Sequence, residues 1–415
     1  MILEKFSIGI GDRFGHQGKA QLEALQTAKA HGIDVVPVWN KSHREHSIIG
    51  TMPADTRKEA DDAVRALHWN SSYYVDADHI GMKNVDDFID YSDFFTIDVA
   101  DFIGKPPGPE VFKVFMHTFK RFHGELCIPG IDCPFTIDEE RLQGIGSQYL
   151  YAVKEAATIY RHICEQKGSD DFIAEVSMDE AEAAQTPEEL FFILAMMAEE
   201  GIPAQTIAPK FTGRFNKGVD YVGNITRFTR EFEENLAVIH YAVKEFSLPS
   251  NLKLSVHSGS DKFSIYKPIR TLLQKRDAGL HLKTAGTTWL EELIGLALAG
   301  GEALELAKTI YRRSLQRFDE LAKPYAAVIE IDYRNLPDED DVASWDGEKF
   351  ANTLRHDPDH PHYNPHFRQL LHIGYKIAAE LGSGFTNALE KHEDIISEQV
   401  TKNIYERHLR PLYIG

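Results

Sequence analysis

Cysteine is scarce in this chain: three residues among 415, at Cys127, Cys133 and Cys164. That number and spacing exclude a disulfide framework and a cysteine-ligated zinc ribbon, and the expectation is reduced thiols in a cytoplasmic protein. Positive charge is also in deficit, with 45 Lys and Arg against 64 Asp and Glu and a formal net charge of −19. An acidic balance of this size argues against nucleic acid and anionic membrane as partners. It leaves room for a small anionic substrate wherever cations cluster locally. No apolar run reaches the ~20 residues of a membrane span, and Met1-Ile2-Leu3-Glu4-Lys5 does not open a signal peptide. No Gly-x-Gly-x-x-Gly follows the leading strand-like run, so a dinucleotide fold has no support. Internal repeats and low-complexity tracts are absent as well.

What is present is enough hydrophobic residue, 43%, for a full core. Much of it falls in eight short β-branched or apolar runs that end at polar residues: Phe6–Ile10, Asp34–Trp39, Ser72–Ala77, Phe94–Val99, Phe172–Val176, Ala204–Ala208, Lys253–Val256 and Gly279–Leu282. Amphipathic stretches separate most of them, among them Gln17–His31, Thr56–Leu67, Asp138–Gln166, Pro187–Glu200, Phe228–Phe246 and Thr287–Leu298. Strands alternating with helices imply a parallel sheet, and eight of them imply an α/β fold of the (β/α)8 TIM-barrel type. Residues 1–320 are expected to form this barrel, with a Pro/Gly-rich excursion over one rim at 104–137. Residues 321–415 are expected to be a mostly helical extension packed on it, with a lone strand at Tyr325–Asp332.

Catalytic residues of such a barrel come from the C-terminal ends of its strands. Those ends offer Asp12 and His16, Asn40 and His43, Asp78 and His79, Asp98 and Asp101, Glu175 and Asp179, then Lys210, His257, and Lys283 with Thr284. The set is too polar for a packed core. His79 and His257 can meet at the rim and hold a divalent metal, and imidazole with carboxylate suits Zn, Mn, Fe, Co or Ni. Asp179 reads either as a catalytic carboxylate or as a charge favouring the next helix. Asp12 and His16 read either as substrate contacts or as a loop cap. His43 and His46 read as a solvated face, and the His/Pro-rich stretch 355–366 as a surface loop or an arm over the mouth.

Val75-Asp76-Ala77-Asp78-His79 and Val256-His257-Ser258-Gly259-Ser260 resemble the third- and seventh-strand motifs of class II aldolases. The resemblance makes His79 and His257 metal ligands, Glu175 a metal-associated glutamate, and Asp78 the group that moves a substrate hydroxyl proton. Leu282-Lys283-Thr284-Ala285-Gly286-Thr287 resembles the loop where those enzymes grip an anionic substrate end. Where they carry a further ligand histidine this chain has Lys210, which a cation would repel. Lys210 is therefore expected to face the substrate's anionic group.

Over most of its length the chain is more similar to the tagaturonate epimerases, bacterial enzymes of hexuronate catabolism. The likeness runs through Ile10-Gly11-Asp12-Arg13-Phe14-Gly15-His16, Ala174-Glu175-Val176-Ser177-Met178-Asp179-Glu180 and Val256-His257-Ser258-Gly259-Ser260-Asp261-Lys262-Phe263. It implies a metal-dependent interconversion of tagaturonate and fructuronate at C4 by retro-aldol and aldol steps. Asp78, Glu175 and Asp179 are the catalytic candidates and His79, Glu175 and His257 the metal ligands. Asp12, His16, Lys210, Arg214, Ser258, Lys262, Lys283 and Thr284 are the substrate-binding candidates. Other readings stay open: a class II-type aldolase or sugar isomerase, or a non-catalytic barrel subunit supporting a partner aldolase. An assembly of identical chains is open too.

Overall fold

All eight apolar runs form strands in the computed structural model, which describes residues 1–283 and 287–415. They are β1 (Phe6–Ile10), β2 (Val36–Ser42), β3 (Tyr74–Ile80) and β4 (Phe94–Asp98), then, after a hairpin of β5 (Gly124–Leu126) and β6 (Phe135–Ile137), β7 (Ile173–Ser177), β8 (Thr206–Ala208), β9 (Lys253–Val256) and β10 (Leu280–Lys283). The eight long-range strands pair in parallel and close in the order β1-β10-β9-β8-β7-β4-β3-β2. The barrel expectation holds, with helices around it and further helices after it. Several of the connecting helices are set by their sequence punctuation. Thr186 caps Pro187–Glu199 with a reciprocal Glu189 contact, and Asp138 caps the long helix Glu139–Lys167.

Register decides what fills the barrel, because parallel residues in register share a face. The base is an apolar plug of Leu3, Val36, Val38, Tyr74, Phe94 and Ile173. Above it the interior turns polar. Ser7 is level with His281 and His281 with Ser255, while Glu175 is level with both Thr96 and Thr206. All of these side chains are buried. Alternation along each strand therefore places hydrophobic residues against the outer helices and charged ones on the barrel axis. The interior is packed, and its upper half is an ion network.

Residues 104–137 hold the helix Pro109–Phe119 and the β5–β6 hairpin. Phe119 and Phe122 pack edge-on against Phe192, and Gly130 near the hairpin tip accepts from Arg276. Tyr325–Asp332, expected as a lone strand, is not one. A closed barrel offers no edge to pair with, and side chains satisfy this backbone instead. Gln369 bonds both the N–H and the carbonyl of Glu330, and His366 Nδ1 accepts from Asp332 N–H. The following helices dock on the top of the barrel. Trp289 Nε1 donates to the Leu371 carbonyl at 2.7 Å, Arg13 to the His372 carbonyl at 2.8 Å, and Arg368 to Asp261 at 2.8 Å.

Candidate functional site

Two strand ends bend where the chemistry lies. In β3 the register with β4 shifts between Ala77 and Ile80, and His79 takes φ 55°, a left-handed conformation uncommon outside glycine. Strict alternation would put His79 on the opposite face from Asp78. The bulge brings both into the mouth. After β9, Ser258 (φ 48°) and Asp261 (φ 63°) turn the loop so that His257 looks back over the barrel. Asp261 is pinned there by Arg368, with His356 and His408 alongside. Backbone strain of this kind persists where surrounding packing imposes it.

The two imidazole rings stand 5.1 Å apart, centroid to centroid. Each is held by a carboxylate at one nitrogen and presents the other to Asp179. His79 Nδ1 bonds Asp78 Oδ1 at 2.8 Å, while its Nε2 lies 3.5 Å from Asp179 Oδ1. His257 Nε2 bonds Glu175 Oε1 at 2.6 Å, while its Nδ1 lies 2.9 Å from Asp179 Oδ1. Asp78 and Glu175 each take an N–H from one ring nitrogen, which fixes the other nitrogen as the one a metal could use when the ring is neutral. His257 Nδ1 is buried and aimed at the Asp179 carboxylate. Ligand atoms of His79, Asp179 and His257 all lie within 4.8 Å of one another and could hold a metal ion. The donors fit a divalent transition metal, and carboxylate-backed histidines are the arrangement such ligands usually show.

The carboxylates around the two rings dominate the electrostatics of the site. Burial works against charge on Asp179, yet the two histidines hold its carboxyl well below the usual range. Burial lowers the His257 pKa, but Asp179 and Glu175 outweigh it and raise the ring to about 9. Beneath the histidines, Lys283 Nζ lies 2.6 Å from Asp78, 2.8 Å from Asp76 and 3.4 Å from Glu175, and bonds the Thr96 hydroxyl. One ammonium thus ties together both carboxylates that orient the histidines. Gly9 makes room for it, since a Cβ there would stand 3.1 Å from Lys283 Cγ.

Beside His257 opens a cavity of about 230 Å³, lined by Arg44, Asp179, Glu180, Lys210, Arg214, Ser258 and Tyr325 among others. Of the sequence-predicted residues, Asp78, His79, Glu175, Asp179 and His257 come together, with Asp179 and His257 lining the cavity beside Lys210, Arg214 and Ser258. Lys283 lies deeper, in the ion network. Lys262 is buried and clamps the carbonyls of Asn216, Val219 and Ser260. Asp12 caps its own loop, accepting from the N–H groups of Phe14, His16 and Gln17, and His16 opens to a different hollow. Thr284 lies outside the described residues. His46, expected on a solvated face, is buried, bonded to the Thr51 hydroxyl at 2.9 Å, and burial takes its pKa down to about 4. In the 355–366 stretch, His356 is buried against the Phe263 ring and His360 and His362 are at the surface. Sequence reading missed Arg44, two residues beyond β2, and Tyr325, which reaches the mouth from after the barrel.

The family model for UxaE, tagaturonate epimerase, matches residues 1–412. A tagaturonate/fructuronate epimerase of Thermotoga maritima is 27% identical over 420 residues, spanning 97% of this chain and 80% of that protein. Crystal structures of the fructuronate-tagaturonate epimerase UxaE from Cohnella laeviribosi share the fold, with a TM-score of 0.82 at 22% identity over 99% of this chain and 82% of theirs.

Proposed function

The chain belongs to the tagaturonate epimerase family, and from that premise we propose how its site interconverts tagaturonate and fructuronate. Membership fixes the reaction, an isomerisation of a sugar acid. The two ketouronates differ at C4, which is β to the C2 ketone, so the carbonyl does not acidify the C4 hydrogen. Direct abstraction there would be prohibitively slow. Breaking the C3–C4 bond avoids it. The C4 hydroxyl loses its proton, the bond electrons move toward C3 and the C2 carbonyl to give an enediolate, and C4 becomes an aldehyde. Rotation of the aldehyde and re-addition to its other face forms the bond again and inverts C4.

His79, Asp179 and His257 would hold the metal. When bound, a divalent cation there supplies Lewis-acid stabilisation of the negative charge that builds on the ketose oxygens. Asp78 is the proton carrier for the C4 hydroxyl. Burial opposes its charge, but Lys283 and His79 hold its carboxyl well below the usual range, so it stands ionised before the reaction. Such a positioned group contributes roughly 10²–10⁴-fold. Glu175 fixes the His257 ring, and Lys210 and Arg214 give the cavity the positive charge that a uronate requires.

The observation that carries this reading is the pair of histidines, each backed by a carboxylate and turned toward Asp179, which lines a cation-lined cavity. The test is a fructuronate assay on metal-stripped protein, with and without added Mn²⁺, Zn²⁺ and Ni²⁺, products being separated by chromatography. Tagaturonate formation that returns with metal is expected. Metal-independent turnover, or accumulation of three-carbon fragments, would overturn the mechanism.

A further inference from the structure

The cavity holds four cationic side chains, and they are not equivalent. Arg214 is paired with Glu330 at 2.9 Å and is more than half exposed. The Lys210 ammonium is taken up by the Ala181 carbonyl. The Lys217 backbone N–H donates to Val328 at 2.8 Å, which ties its loop to the post-barrel segment, and its ammonium, like the Arg44 guanidinium, makes no ion pair among the described residues. Arg44 differs from Lys217 in carrying a planar guanidinium that lies over an aromatic ring. It lines the same cavity as Asp179 and His257, it is exposed, and among the described residues it makes no ion pair.

Arg44 is nonetheless held in place. Its guanidinium lies over the Tyr325 ring at 4.9 Å. The Tyr325 and Tyr375 hydroxyls are 3.0 Å apart. The Arg13 guanidinium in turn covers the Tyr375 ring at 4.0 Å and bonds Glu45, the residue after Arg44, at 3.1 Å. Glu45 closes a capping box with Ser42 that fixes the start of the helix His43–Ile49. The chain of contacts runs from Arg44 through two tyrosines and a second arginine back to the helix that carries Arg44. A planar guanidinium held by stacking still has its N–H edges free for a carboxylate, which it matches in bidentate fashion.

We propose that Arg44, held against Tyr325, binds the C6 carboxylate of the ketouronate and makes the enzyme specific for sugar acids over neutral ketoses. The inference rests on the family reaction and extends it. The post-barrel segment becomes part of the substrate site, since Tyr325 lies outside the barrel's own strands and helices. The carboxylate end is anchored at Arg44, and the C2–C4 end reaches toward Asp78 and Asp179. A lysine would be a poor replacement, because its point charge lacks both the stacking plane and the fork.

The experiment compares Arg44→Met, Arg44→Lys and Tyr325→Ala with the unaltered protein, all loaded with the same metal. KM and kcat are measured for fructuronate, together with the inhibition constant of D-fructose, the neutral counterpart with a hydroxymethyl group at C6. Arg44→Met is expected to raise KM about 10- to 100-fold, the scale of a lost charge-assisted bidentate pair. The D-fructose constant and the bound metal should be unchanged. Arg44→Lys should recover only part of the loss, and Tyr325→Ala should raise KM by a smaller factor. An unchanged KM in Arg44→Met, or a D-fructose constant that rises in parallel, would overturn the inference. An unaltered protein inert on fructuronate would instead strike the reaction on which the inference rests.

Discussion

Glu175 Oε1 lies 2.6 Å from Nε2 of His257, the ring nitrogen turned away from Asp179. The bond orients the ring and leaves Nδ1 facing Asp179. Asp78 does the same for His79 through the opposite nitrogen, at 2.8 Å. Both supports rest on Lys283. The order of dependence therefore runs from a buried lysine to two carboxylates, then to two imidazoles.

That order gives a graded prediction. Glu175→Gln keeps a hydrogen-bond acceptor of the same shape but removes the charge that makes the imidazole more basic. Loss of such a partner typically costs 10–100-fold in metal affinity. Competition with a coloured chelator should show a drop on that scale for Glu175→Gln, with His79 and His257 intact. Affinity equal to the unaltered protein would mean that Glu175 has no part in presenting His257.

Asp179 is expected to matter more. It is the carboxylate that both histidines face, and Ser177 donates its hydroxyl to it at 2.6 Å. Asp179→Asn should lose metal during dialysis and lose epimerase activity with it, while Ser177→Ala retains both at a reduced level. Metal content by mass spectrometry, read beside turnover, checks this. An Asp179→Asn protein that keeps its metal would return Asp179 to the role of a helix-start charge.

The barrel was legible because its physics is local. A strand buried on its outer face, ending at a polar residue and followed by an amphipathic stretch, can be read from one window of sequence. The positions of Asp78, His79 and His257 follow from that reading. Depth does not. Lys283 and Lys262 look like rim cations, yet alternation and loop packing bury both, one as a counter-ion and the other as a backbone clamp. Asp12 likewise has its acceptor capacity spent on its own loop. Asp179 reads ambiguously because a carboxylate before a helix has an ordinary structural use. Arg44 and Tyr325 were invisible for a different reason. Their contact joins segments far apart in the chain, and no local pattern encodes it.

Lys283 supplies a stability prediction. It is 4% exposed and surrounded by Asp76, Asp78 and Glu175. Burial disfavours its charge, but the three carboxylates more than offset this and raise its pKa well above the usual value. Lys283→Met would leave buried carboxylates without a counter-charge, which costs roughly 3–5 kcal/mol when one partner of a buried pair is removed. Thermal unfolding should show a large drop. The double variant Asp76→Asn/Lys283→Met should recover part of it, since the two sites share one network. Additive losses would mean that the network is not coupled.

The final prediction concerns pH and a residue outside the reaction. Glu291 is buried at 3% exposure and accepts a hydrogen bond from Asn403 Nδ2 at 2.9 Å. Burial raises its pKa to about 7, against the opposing pull of Arg368 and Arg355. The folded protein therefore keeps this proton over a range in which the unfolded chain, with a carboxyl near 4.5, has released it. The stability Glu291 contributes is fully present below about pH 4.5 and is lost as pH rises through about 7. The loss is on the order of 3 kcal/mol for a shift of this size. Glu291→Gln mimics the protonated form and cannot ionise. It should match the unaltered protein at pH 4.5 and unfold at a higher temperature than it at pH 7.5. Midpoints that stay level across that range would show that Glu291 ionises in the folded protein as readily as in the unfolded one.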